Sequence, residues 1–349
     1  MSSCVKLWLT ILLLAGCTYS PQPNVTDRGF YYWKSVMGLS GAEKQALETL
    51  QVKKLYLKCF DVVWDGRQQR PMPVAQVRFT DSVTTWLTNR QVAIIPTVFI
   101  TNECMQSIDS TAIPALAGNI RDLLSGIAAT NHIEAAIPEI QIDCDWTASS
   151  KNKYFYLLNQ LKQHAFFRQK ILSATIRLYQ CKYKQKTGIP PVDRGLLMCY
   201  NMGNLKKPST INSIIEAAEL KQYITNLADY PLPLDIALPL FDWKVLYRNN
   251  VYKGLINDLP DSLLQKNIAQ NTRNTYTILQ DTILGGYTLK KGDFIRKEDA
   301  NFEEVIQSTQ LLRSKLTTNR FTVVLYHLDS LNLHKYSTHE LEEMFDSLH

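Results

Sequence analysis

Little in this chain belongs to metal or redox chemistry. Its six histidines are scattered, and His334 and His339, five apart, do not put two ligands on one helix face, so no metal site and no cofactor are expected. Cysteine is odd in number. With Cys4 and Cys17 set aside for reasons given below, five of the seven remain, which argues against a disulfide framework. Cys59, Cys144 and Cys199 lie in apolar runs and read as small core residues, while Cys104 and Cys181 follow strand-like runs and can pair or stay free. Blocks of like charge are missing too. The net charge of +6 is spread along the chain, and Lys206-Lys207 and Lys290-Lys291 are too short to make a nucleic-acid footprint. The one long apolar run, 7–15, is too short to span a bilayer. The first strand-like run is followed by Trp33-Lys34-Ser35-Val36-Met37-Gly38 rather than by a glycine-rich phosphate loop, which speaks against a dinucleotide-binding sheet.

What is present starts with an address. Lys6 precedes the apolar run 7–15, the order of a signal peptide, so residues 1–16 are expected to be removed. The run ends in Leu14-Ala15-Gly16-Cys17, which resembles the lipobox of bacterial lipoproteins. That resemblance implies cleavage before Cys17, lipid on its thiol, and a place in the bacterial cell envelope, anchored to a membrane and at the outer membrane or facing the periplasm. Residues 17–28, polar and proline-bearing, then read as a flexible tether.

Residues 29–349, in a chain with 45% hydrophobic content, can bury a large core as one barrel-sized unit or as two ordinary ones. The order of elements chooses between them. Apolar, β-branched runs fall at 29–34, 54–63, 92–100, 137–147, 171–178, 195–201, 234–240 and 321–326, with a further extended piece at 74–79. Helical patterns lie between most of them, over 41–50 (Ser40 and Glu43 spaced as a capping box), 113–129, 151–164, 211–227, 302–316 and 337–348. Strands buried on both faces, each with a covering helix, require an α/β fold of the (β/α)8 TIM-barrel type. Residues 244–300 break the alternation. Hairpin signals at Asn249-Asn250 and Gly285-Gly286 predict a small β-rich or α+β insertion there, after strand seven.

In 137–147, Ile140, Ile142 and Cys144 alternate with Gln141, Asp143 and Asp145, so two acids share one face at the carboxyl end of the fourth strand, the end where such barrels do chemistry. At roughly 6 to 7 Å along a strand, each opposes the other's ionisation, and one is expected to titrate high. The run Asp143-Cys144-Asp145-Trp146 resembles the fourth strand of family-eighteen glycoside hydrolases, the chitinases, whose motif reads Asp-Gly-x-Asp-x-Asp-x-Glu. Asp143 and Asp145 match its last two aspartates. Ile140 and Gln141 depart from its first two positions, and Thr147 stands where the family has its proton-donating glutamate. Met198-Cys199-Tyr200-Asn201 is similar to the family's Met-x-Tyr-Asp, with Asn201 for the aspartate, and 238–243 to its Pro-x-Tyr-Gly stretch. The resemblance covers 29–349. It implies a barrel that binds or hydrolyses a glycan without the family's usual acid. The same features, lipobox included, resemble a family of bacterial lipoproteins for which no activity is established. A non-catalytic structural or assembly lipoprotein of the envelope is the alternative.

The candidate catalytic residues are therefore Asp143, Asp145, Tyr200 and Asp242, with Asp145 facing the ligand and Asp143 deeper. Trp33, Trp146, Arg177, Asn201 and Trp243 are candidates for substrate binding. The tryptophans, with Tyr32, suit stacking on pyranose rings. Arg177, on the same face as Thr175, can neutralise an aspartate or meet an acidic sugar. Asp61, Glu103, Asp242 and Asp329, at or just after strand ends, are the acids able to replace the missing one. A glycan or oligosaccharide and, through Cys17, a membrane are the expected partners of a monomer.

Overall fold

The computed structural model describes residues 25–80, 82–257, 259–271, 274–316 and 320–348. The signal segment, Cys17 and the tether up to residue 24 lie outside them. Eight parallel strands close into a barrel: β1 (Val25–Tyr32), β2 (Lys54–Asp65), β3 (Ala93–Ile100), β4 (Glu139–Asp143), β5 (Ile171–Arg177), β6 (Arg194–Met198), β7 (Leu234–Pro239) and β8 (Arg320–Tyr326). Each pairs with its neighbour in sequence, and β1 closes the ring against both β2 and β8. β1 begins at Val25, upstream of Gly29, and takes in residues that read as tether. Asp27 and Arg28 carry no apolar signal, and the register Val25↔Arg320 to Phe30↔Leu325 decides the matter.

Outward-facing residues such as Ile140, Ile142, Leu172, Ile236 and Val323 are buried under the helical layer. The helix Ile113–Thr130 meets them with Leu116, Ile120, Leu124 and Ile127, one stripe at helical spacing. The helix Gly41–Thr49 starts in the capping box between Ser40 and Glu43. The lumen, by contrast, is polar. Lys54 donates to Thr322 at 2.7 Å, Arg194 pairs with Asp235 at 3.0 Å, and Tyr31 donates to Gln141. Barrel interiors are more often filled by branched aliphatics. Here polar side chains run up the inside of β4, from Glu139 through Gln141 to Asp143 at the mouth.

Two departures from the sequence pattern bear on the site. Of the helix expected over 211–227, only Ala217–Tyr223 forms. Asn212 donates to the Asp299 carbonyl at 2.7 Å and Ser213 N–H to Glu298 at 3.0 Å, so these residues spend their hydrogen bonds on the insertion instead. And β2 overshoots the barrel, its end pairing antiparallel with Arg70–Val74 as a projecting hairpin.

The insertion after β7 is a five-stranded antiparallel sheet of Asp242–Arg248, Val251–Ile256, Ile268–Asn271, Thr275–Ile278 and Phe294–Asp299, with a separate hairpin of Thr282–Leu284 and Tyr287–Leu289. It has its own core, including Leu246, Ile256, Tyr276 and Ile295. The turns form where the sequence marks them. Asn249 and Asn250 (φ 53° and 62°) and Gly285 and Gly286 (φ 53° and 83°) all take the positive φ that a tight hairpin needs.

Candidate functional site

A cleft of about 920 Å³ opens at the carboxyl end of the barrel, between the strand ends and the insertion. Its floor is a contiguous set of rings, with Trp33, Phe241, Trp243 and Tyr326 partly exposed and Tyr31 and Tyr200 buried beneath them. Tyr326, the last residue of β8, lies 5.3 Å from Tyr200, 5.4 Å from Tyr31, and 5.7 Å from both Trp33 and Phe241 between centroids. Phe241 in turn meets Trp243 at 5.2 Å. These rings line a trough that runs from the end of β1 to the insertion. Asp143 lies at its bottom, 7% exposed, accepting from Thr175 Oγ1 at 2.6 Å. Burial, and then the charge of Asp145, push its carboxyl up to about 7.

A side hollow of about 300 Å³ adjoins the cleft, with Tyr200 and Asn201 lining both. Asp145 and Arg177 line this hollow rather than the main trough. They pair at 2.8 Å, both more than a third exposed. The two aspartates thus leave one strand end toward different spaces. Asn201 holds a positive φ of 54°, and its Oδ1 is buried without a partner among the described residues. Thr147, beside Asp145, bonds within its own turn, through Ser149 at 2.9 Å and Ser150.

The insertion wall is fixed by one buried acid. Glu298 accepts from Trp243 Nε1 at 2.7 Å, Arg296 Nε at 2.6 Å and both the N–H and hydroxyl of Ser213. Trp243 is thereby held edge-on by its nitrogen, with its ring against Phe241.

Of the candidate residues, Trp33, Asp143, Tyr200, Asn201, Asp242 and Trp243 come together around the main cleft, and Asp145 and Arg177 around the hollow. Two expectations are corrected. Trp146 borders the hollow but is 2% exposed, stacked on Tyr154 at 5.2 Å with Nε1 donating to the Thr187 carbonyl, so its ring is committed to the fold. Tyr32 points out of the barrel and donates to the Val36 and Gly38 carbonyls. The substitute acids are largely occupied. Lys58 holds Asp61 at 3.0 Å and Lys335 holds Asp242 at 2.9 Å. Lys34 holds Asp329 at 2.6 Å; partial burial works against ionisation there, but this bond and the Leu331 N–H outweigh it and the carboxyl titrates low. Glu103 is exposed on the short helix Asn102–Ser107.

The fold resembles that of GH18 chitinases. The spore cortex-lytic enzyme SleL of Bacillus cereus superposes with a TM-score of 0.54 at 14% identity, over 94% of this chain and 75% of that one. A chitinase from Chromobacterium violaceum gives 0.54 at 10% identity, over 93% and 98%. A GH18 chitinase from Cycas revoluta, solved in complex with (GlcNAc)3, gives 0.53 at 11% identity, over 93% and 100%. No protein-family model matches the sequence, and no curated protein does.

Sequence reasoning missed Tyr31, Phe241, Tyr326 and His327, all of which line the cleft. For Tyr31 the signal was available, since it alternates with Trp33 along β1. The lysine on Asp242 was not foreseeable, because Lys335 comes from the segment after β8 and meets Asp242 only through the pairing of β7 with β8, whereas Lys58 and Asp61 lie three apart on β2.

Proposed function

We propose that this chain is a membrane-anchored lipoprotein whose barrel binds a glycan in the aromatic trough and does not cut it by the chitinase route. The observation that carries the reading is the open, ring-lined cleft. Flat apolar ring faces flanked by polar groups suit pyranose sugars, which present an apolar face and a rim of hydroxyls. A structural or assembly protein with no ligand would be expected to fill the barrel mouth with side chains, and an open trough argues against that alternative. The absence of turnover follows from the acids. A glycosidase needs a carboxylic acid beside the scissile oxygen, but Thr147 stands at the donor position and lysines engage the nearby alternatives. Asp143, which burial pushes toward protonation, lies at the floor with Thr175 on one oxygen.

Because a neighbour of the same fold is solved with (GlcNAc)3, N-acetylglucosamine oligomers are the first ligands to try. Titration of a glycan panel that includes them should change tryptophan fluorescence, through Trp33 and Trp243, and leave oligomer length unchanged on prolonged incubation. Release of shorter oligomers would mean that a relocated acid works after all. Failure of every glycan to bind would return the assembly role to first place.

A further inference from the structure

We propose that the underside of the barrel, the end opposite the cleft, lies on the membrane with anionic lipid headgroups as its partner. The cleft then opens away from the bilayer, toward glycans that are not membrane-embedded. This rests on the reading of Cys17 as the lipid anchor.

The first argument is topological. All eight strands are parallel, so Val25, Lys54, Ile171 and Arg320 start at one end of the barrel, while Asp143 and Tyr326 finish at the other with Trp33 beyond β1. The chain therefore enters the barrel at the underside. The eight residue steps from Cys17 to Val25 reach at most about 29 Å when fully extended. The eight residues of β1 alone rise about 26 Å. Because barrel strands tilt by about 36°, β1 climbs about 21 Å along the barrel axis, so a lipid on Cys17 could sit level with the cleft mouth only if the tether doubled back up the barrel wall over about three quarters of its full reach. The short tether thus keeps the strand-entry end at the bilayer.

The second argument is charge. At the turns that enter β2, β5 and β8 lie Lys53, Arg168 and Lys315, all exposed, and the half-exposed Lys170. Acids at the same end are largely matched: Glu48 by Arg90 at 2.7 Å, Asp193 by Lys162 at 2.9 Å and Asp346 by Arg28 at 2.7 Å. Against Glu134 and Asp229, this leaves an excess of positive charge on the face that the tether presents to the lipid. Basic groups near an anionic surface reinforce a single lipid anchor that is marginal alone.

Hydrogen exchange tests this on the full-length lipidated protein, compared between detergent and vesicles of phosphatidylethanolamine with phosphatidylglycerol. Exchange is expected to slow at 50–53, 168–170 and 313–316 on the vesicles and to stay unchanged at 242–257. The triple variant Lys53→Glu, Lys170→Glu, Lys315→Glu, with its lipid verified by intact mass, is expected to lose that protection, as is the native chain on phosphatidylcholine alone. Protection at 242–257, or protection that survives the triple charge reversal, would overturn the proposal. An intact mass without lipid on Cys17 would instead overturn the anchoring reading itself, so the two failures are told apart.

Discussion

The Asp143 carboxyl, pushed up to about 7 by burial and by Asp145, titrates in the unfolded chain at about 3.9. The folded protein therefore holds this proton more tightly than the unfolded chain does. Its contribution to stability is complete below about pH 4 and is lost as the pH rises through 7, by an amount on the order of a few kcal/mol. Asp143→Asn keeps an acceptor for Thr175 and cannot ionise. Its melting temperature is expected to fall less than that of the native chain between pH 4 and 8, so that the variant is the more stable of the two at the alkaline end; parallel curves would show that Asp143 is ionised throughout. Asp145, with a half-exposed partner in Arg177, behaves differently. Exposed ion pairs contribute about 0 to 1 kcal/mol, so Asp145→Asn should melt within that margin of the native chain. Tyr200 lines both spaces, and Tyr200→Phe removes only its hydroxyl. Both variants are expected to lose glycan binding at least tenfold by calorimetric titration, and native affinity in Asp145→Asn would remove the hollow from the site.

At the scale of elements, the insertion stands or falls with Glu298. It is 1% exposed, and Arg296 beside it 3%, so removing the charge from one leaves the other buried and uncompensated. Breaking a buried pair costs about 3 to 5 kcal/mol. Glu298→Gln should lower denaturant stability by that order and free the Trp243 indole, visible as a red-shifted emission; an unchanged melt would mean that the sheet's own core suffices. These elements also show what a sequence can disclose. The barrel strands were legible because their outward faces, such as Ile140 and Ile142 or Leu172 and Ile176, must be apolar to meet the helices. The hairpin turns were legible because Asn249-Asn250 and Gly285-Gly286 tolerate positive φ. The stretch 211–216 was not. Its apolar spacing suits a helix, but Asn212 and Ser213 find partners 87 and 85 residues away, and no local pattern encodes those. The site was half legible for the same reason. Asp143, Tyr200 and Trp243 stand at strand ends that motifs mark, whereas the burial of Trp146 depends on Tyr154 from the following helix and on Thr187.

For the whole molecule, the anchoring proposed at Cys17 would decide where the cleft can work. Cys17→Ser is expected to abolish metabolic labelling with palmitate, leave the unprocessed precursor and shift the chain out of the lipid-dependent membrane fraction. Retention of labelled lipid in that variant would point to another attachment site. On that proposed anchoring, copies would diffuse in two dimensions with the same end down, crowded side by side. Among the described residues, the hairpin that β2 extends is the one edge of the barrel sheet left without a neighbour. Its outer strand reads Arg70-Pro71-Met72-Pro73-Val74. In the antiparallel ladder Pro71 and Pro73 must occupy the positions that turn away from β2, because a proline cannot donate into the pairing. The outer rim consequently offers carbonyls but, at those two places, no amide hydrogens. A neighbouring copy drifting alongside would meet a ladder short of two donors, so edge-to-edge strand pairing is disfavoured and anchored copies could pack closely while each keeps its trough to itself.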